Sequence, residues 1–202
     1  MPRENATISI LFENDDYVVI NKPPLLDSQP SKPDRASVSQ WLVDHYQFSG
    51  LVHRLDFGTS GCMICAKNPT TAATLTQKIK TKGIQRIYRA VVFRPLTTTS
   101  GTIDIPIDDR SAKTNYKVVE NFAGSSYIEA EILTGRKHQI RRHFSVSGHP
   151  VLGDHLYKRS GSHLLFHRPA LHAFQLTVDG QKFEAPIPED LSTLLAELRA
   201  IR

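Results

Sequence analysis

Cysteine is almost missing from this chain: its 202 residues contain two, both in Cys62-Met63-Ile64-Cys65. One C-x-x-C without a second pair excludes the usual four-ligand zinc motifs. The surrounding GCMICAK is apolar and reads as a buried strand, on which residues three apart point to opposite faces. The two thiols are therefore expected neither to share a metal nor to close a disulfide, and buried free thiols suit a reducing cytoplasm. Long apolar runs are missing too: nothing approaches the roughly 18 consecutive apolar residues of a membrane helix. The opening MPRENATISI lacks the apolar core of a signal peptide. A soluble, cytoplasmic protein without membrane contact is expected.

Several catalytic motifs are also absent. Without G-x-x-x-x-G-K-[ST] or G-x-G-x-x-G there is no P-loop and no dinucleotide fingerprint. Without G-x-S-x-G there is no nucleophile elbow. Histidines do not fill the gap. His138 and His143 are five apart, and His163 and His167 are four apart in HLLFH, but neither pair has an H-E-x-x-H context or a nearby carboxylate partner. No metal is expected, and His53, His149 and His172 read as structural hydrogen-bonders.

What the chain does have is concentrated positive charge. Lys and Arg number 25 against 20 acids, a net charge of +5, and the cations gather in QRIYRAVVFR and GRKHQIRRH. Clustered basicity favours a polyanion such as nucleic acid. Strand patterns in SILFEN and YVVIN, in IQRIYRAVVF, and in GTIDIPI, TNYKVVE and SYIEAEIL alternate with few helices. Ser37 with Gln40 marks a capping box opening a helix to about His45. Asn68-Pro69 opens another that Gly83 ends. GRKHQIRRHFSVSG should be a third helix stopped by Gly148, and LSTLLAELRAI a fourth. ALHAFQLTV and QKFEAPI read as a hairpin about Asp179-Gly180. KPPLLDSQPSKPD is a loop, and no linker or repeat divides the chain. The expected fold is α+β: a large mixed, mainly antiparallel sheet flanked by helices, a single domain over 1–202 with its core at about 8–186 and a C-terminal helix at about 190–201.

Two constellations can carry chemistry. On a helix, His138, Arg141, Arg142 and Ser145 would share one arc, with Ile140 and Phe144 on another that packs on the sheet. Such a run is most often a solvated face, but cations beside Gln139, with a Thr134-Gly135 turn ahead of them, suit phosphate contact. In LVHRLDFGTSG a lone carboxylate, Asp56, sits between Arg54 and a turn rich in Gly and hydroxyls. A single ionised carboxylate can act as nucleophile at a sugar carbon or as base on a sugar proton. An aromatic such as Tyr88 can stack on a base taken out of its helix, which chemistry on a base requires.

HRLDFGTSG resembles the catalytic motif of the RluA family of RNA pseudouridine synthases, and TGRKHQIRRH resembles its second signature. FENDDYVVINKP, QRIYRAVV, GHPVLGDHLY and ALHAFQL follow in the family's order, covering Ile8 to about Pro186. The resemblance implies a pseudouridine-synthase catalytic domain with a basic RNA-binding cleft and no S4-type N-terminal module, needing no cofactor. By the same resemblance Asp56 is the catalytic acid, Tyr88 lies over the target base, and Arg141 pairs with Asp56. Arg54 enters the RNA, and Leu171 lines the base pocket. His53, Arg86, Arg136, Lys137, His138 and Arg142 are the remaining expected RNA contacts. Pro24 and Leu25 stand where the family has a small residue and Gly, and Phe93 and Arg94 occupy the region of another family Gly. The implied reaction isomerises a uridine of a tRNA or an rRNA stem-loop, by attack of Asp56 at C1′ or by abstraction of a ribose proton. A monomer with no obligate protein partner is expected. The alternative is a non-catalytic RNA-binding protein or RNA chaperone on the same fold, which would have no need of Asp56.

Overall fold

The computed structural model describes residues 7–32, 35–158 and 166–201. The chain groups into two compact units: residues up to Ile84 with Ala173–Pro186, and Gln85–His172 with Ile187 onward.

In the first unit the strands are β1 (Ser9–Glu13), β2 (Tyr17–Lys22), β3 (Gly50–Leu51) and β4 (Ser60–Ala66). Ala173–Val178 of β9 (Leu171–Val178) and β10 (Gln181–Glu184) complete its sheet. The order is β1-β2-β4-β9, with β10 on β9 and β3 on β4. β1–β2, β2–β4 and β9–β10 are antiparallel. Asn14 closes the first hairpin by accepting the N–H groups of Asp16 and Tyr17. Asp179 and Gly180 turn the last one, both at positive φ, the geometry that matches strand twist in a two-residue loop. The sheet packs an apolar layer of Val19, Cys62, Ile64, Leu75, Leu176 and Phe183.

Two helices cover this unit. In α1 (Val38–Tyr46) the Ser37 hydroxyl accepts the Gln40 N–H at 3.2 Å. Only half of the expected capping box forms, because the Gln40 side chain turns outward to Asp44 at 2.8 Å. α2 (Pro69–Lys80) starts as its sequence predicts, with Asn68 Oδ1 accepting the Thr71 N–H. Its end differs by one residue. Lys82 takes the left-handed position, at φ 62°, and the Gly83 N–H reaches back to the Lys78 carbonyl at 2.7 Å. That pairing closes the last turn without requiring the glycine at the strained position.

The second unit is built on β5 (Ile84–Phe93), β6 (Ser100–Asp104), β7 (Lys113–Asn121) and β8 (Ser125–Ile132), in the order β5-β8-β7-β6 and antiparallel throughout. A bulge between Val118 and Glu120 turns Val119 out to solvent. α4 (Glu189–Ala200) buries Leu191, Leu194, Leu195 and Leu198, a stripe at helical spacing. α3 spans only Gln139–Val146; His138, expected on the helix, is instead its left-handed cap at φ 55°. Both units are thus mixtures of antiparallel sheet and helix, the α+β class anticipated.

Candidate active site

Asp56 follows directly on a buried Leu55 and opens a tight turn in which the Thr59 N–H donates to the Asp56 carbonyl at 3.0 Å. Leu55, Thr59 and Ser60 are buried while Asp56 is half-buried and Arg54 exposed. This pattern explains the Gly- and hydroxyl-rich wording of the segment. The small residues let the backbone fold back into β4, where Gly61 has φ 114° and a Cβ would meet the Ala173 carbonyl oxygen at 2.2 Å. His53 is tied to the same strand, its Nε2 accepting the Ile64 N–H at 3.1 Å.

Of the KPPLLDSQPSKPD segment, residues 23–32 form a loop, but its first part is not a loose one. Leu26, Asp27 and Ser28 are buried, and the fully buried Lys22 ammonium donates to the Pro23 and Leu26 carbonyls, each at 2.9 Å. Leu25 has a left-handed φ of 60°, and Arg94 one of 65°, a conformation that favours glycine.

In the second unit Tyr88 lies on the buried face of β5, 7% exposed, in register with Ala130 of β8. Arg86, two residues earlier on that face, is 9% exposed and its Nε has no hydrogen-bond partner. Leu171 is buried at the start of β9.

The α3 region departs most from a solvated basic helix. Arg141 points inward, 7% exposed, and forms a bidentate pair with Asp154: Nε to Oδ2 at 2.6 Å and Nη2 to Oδ1 at 2.9 Å. Burial pushes the Asp154 carboxyl up, but the hydrogen bonds and charge of Arg141 and the N–H groups of Tyr157 and Leu156 outweigh it. The carboxyl is held below its usual range. The Tyr157 ring lies 5.2 Å from the Arg141 guanidinium carbon, and its hydroxyl is 2.9 Å from His138 Nδ1. Arg142 pairs with Asp108 through two contacts of 2.9 Å at the surface. Arg136 uses its Nε on the Ser111 carbonyl, while Lys137 is exposed. The N–H of Arg136 is taken by Gln139 Oε1, so the turn ahead of α3 is knitted to the helix.

Asp154 and Tyr157 were not singled out from sequence, although GHPVLGDHLY contains both. Gly153 was the available signal: its φ is 71° and a Cβ would sit 2.1 Å from the Arg168 carbonyl oxygen, so only glycine sets Asp154 at this corner. The buried Arg168 and the half-buried Asp190 form a second bidentate pair, at 2.6 and 2.7 Å, that anchors the start of α4. The thiols of Cys62 and Cys65 are free and buried, each pushed up to about 12 by desolvation. Among the described residues no group of three or more His, Cys, Asp or Glu gathers; His163 of the HLLFH spacing lies outside them. No helix among the described residues is long and apolar enough to cross a membrane.

The architecture is that of pseudouridylate synthases. The solved human RNA pseudouridylate synthase domain containing 4 superposes with a TM-score of 0.82, covering 95% of this chain and 93% of that one at 24% identity. The family model for RNA pseudouridylate synthase matches residues 16–146. An uncharacterized RNA pseudouridine synthase of Bacillus subtilis, YjbO, is 34% identical over 95% of this chain and 77% of its own. The ribosomal large subunit pseudouridine synthase D of Haemophilus influenzae is 32% identical over 98% and 72%. The chain belongs to the RNA pseudouridylate synthase family and is of the RluA type. It is a pseudouridine synthase, an isomerase that acts on RNA.

Proposed function

We propose that this enzyme isomerises one uridine in a structured RNA, a tRNA or an rRNA stem-loop, with Asp56, Tyr88 and Arg141 serving in the roles their motifs imply and Leu171 lining the base pocket. The observation that carries this reading is Asp56 itself: a half-buried carboxylate whose backbone is fixed in a turn, with buried residues on either side of that turn. In the reaction N1–C1′ breaks, the base turns, C5–C1′ forms, the C5 proton leaves and N1 gains one. Several relatives carry ribosomal large-subunit names, which favours rRNA among the two substrates.

Arg54, His53, Arg86, Arg136, Lys137, His138 and Arg142 are assigned to the RNA. Arg86 has physical support, since a recessed guanidinium with an unsatisfied Nε is unfavourable until an anion such as a phosphate meets it. The whole chain acts as one catalytic domain, as a monomer, in the cytoplasm. The test is tritium release from RNA labelled at uridine C5, comparing the wild type with Asp56→Asn. Release by the wild type alone supports the assignment; equal release by both removes Asp56 from the chemistry.

A further inference from the structure

The loop after β2 reaches the catalytic turn. Ser28 is 3% exposed, and its hydroxyl engages both backbone groups of Leu55: Oγ accepts the Leu55 N–H at 3.0 Å and donates to the Leu55 carbonyl at 2.7 Å. That carbonyl belongs to the peptide plane shared with Asp56. A hydrogen bond on it fixes the plane from which the Asp56 Cα departs.

Ser28 is itself held. Its carbonyl accepts the Ser39 N–H at 3.0 Å, and the Asp27 carbonyl accepts the Val38 N–H at 2.9 Å. These are orphan donors of the first turn of α1, so helix and loop satisfy each other. Lys22 pins the other end of the same short loop through the Leu26 carbonyl. A second contact falls on the far side of Asp56. The Arg35 guanidinium lies 4.2 Å from the centre of the Phe57 ring, and its Nε pairs with Asp27 at 3.3 Å. Ser31 completes this cluster by donating to Asp27 Oδ2 at 2.7 Å.

We infer that Ser28 is a positioning residue for Asp56, its hydroxyl setting the angle at which the carboxylate meets the ribose, with Arg35 on Phe57 as the counterpart on the other side. This rests on the assignment of Asp56 as the catalytic acid. A displacement of about 1 Å at a reacting group can lower a rate by about 100-fold. The buried N–H and C=O of Leu55 would each lose a partner in a Ser28→Ala variant, so the turn would relax toward other partners.

The experiment measures single-turnover tritium release from C5-labelled RNA at saturating enzyme, alongside filter-binding affinity for the same RNA. Wild type, Asp56→Asn, Ser28→Ala, Ser28→Thr and Arg35→Met are compared. Ser28→Ala should slow release by roughly 10- to 100-fold with affinity unchanged, Ser28→Thr should restore most of the rate, and Arg35→Met should slow it less. A Ser28→Ala rate equal to wild type overturns the inference, as does loss of rate and affinity together. A Ser28→Thr variant as slow as the alanine one assigns the effect to packing and overturns it too. Absence of turnover in the wild type, or turnover in Asp56→Asn, refutes the catalytic assignment instead, so the two failures are distinct.

Discussion

The Arg141–Asp154 pair should be worth far more than a surface ion pair. The Arg141 and Asp154 side chains are 9% and 0% exposed, and both guanidinium contacts are 2.9 Å or shorter. Removing one partner of such a pair strands the other charge, which typically costs about 3–5 kcal/mol. Asp154→Asn keeps the shape and one acceptor, so the lower end, about 3 kcal/mol, applies. With a urea dependence of about 2 kcal/mol per molar, the unfolding midpoint should fall by about 1.5 M. The pH dependence supplies a control. The Asp154 carboxyl is held below its ordinary value in the folded protein, so its contribution is complete above the unfolded pKa, near about 3.9, and disappears as pH falls through the folded value. Wild type and Asp154→Asn should therefore differ at pH 7 and converge in acid. A midpoint shift below about 0.3 M at pH 7, or about 0.6 kcal/mol at that slope, would be no more than an exposed ion pair gives and would contradict this value. A gap that persists undiminished in acid would refute it as well.

Further predictions concern other parts of the chain. Cys62 and Cys65, pushed up to about 12 by burial, should be inert to a thiol reagent at pH 8 in the native protein and react together on unfolding; fast native reaction of either would contradict their burial. Leu25→Gly should raise stability by up to about 1 kcal/mol, because Leu25 pays the left-handed penalty at φ 60° while 45% exposed, and urea titration reads the change. Arg86→Gln should lower the slope of log affinity against log salt by about 0.7 to 0.9, the share of one phosphate; an unchanged slope would make Arg86 structural.

Much of the fold was legible because its signals are local. β5 occupies the stretch its alternation predicts, the Asn68-Pro69 start of α2 and the Asp179-Gly180 turn fall in place, and the apolar stripe of α4 is buried as its spacing requires. The buried, unpaired thiols also follow from the apolar wording of β4. Tertiary pairing was less visible. Arg141 and Arg142 are adjacent in a basic run, yet one is buried on Asp154 and the other lies at the surface on Asp108. Periodicity alone cannot tell them apart, because the acid that draws Arg141 inward is thirteen residues away along the chain. His138 fell off the helix because its backbone turns left-handed where the loop meets α3. Ser28 left no periodic trace at all, since its partner Leu55 is 27 residues distant.

The most direct test of the central claim is to map pseudouridines across the RNA of cells lacking this gene, then of the same cells supplied with the wild-type protein or with Asp56→Asn. At least one pseudouridine should be missing from the deletion strain, restored by the wild type and not by the variant. A complete set of pseudouridines in the deletion strain, or restoration by Asp56→Asn, would contradict it.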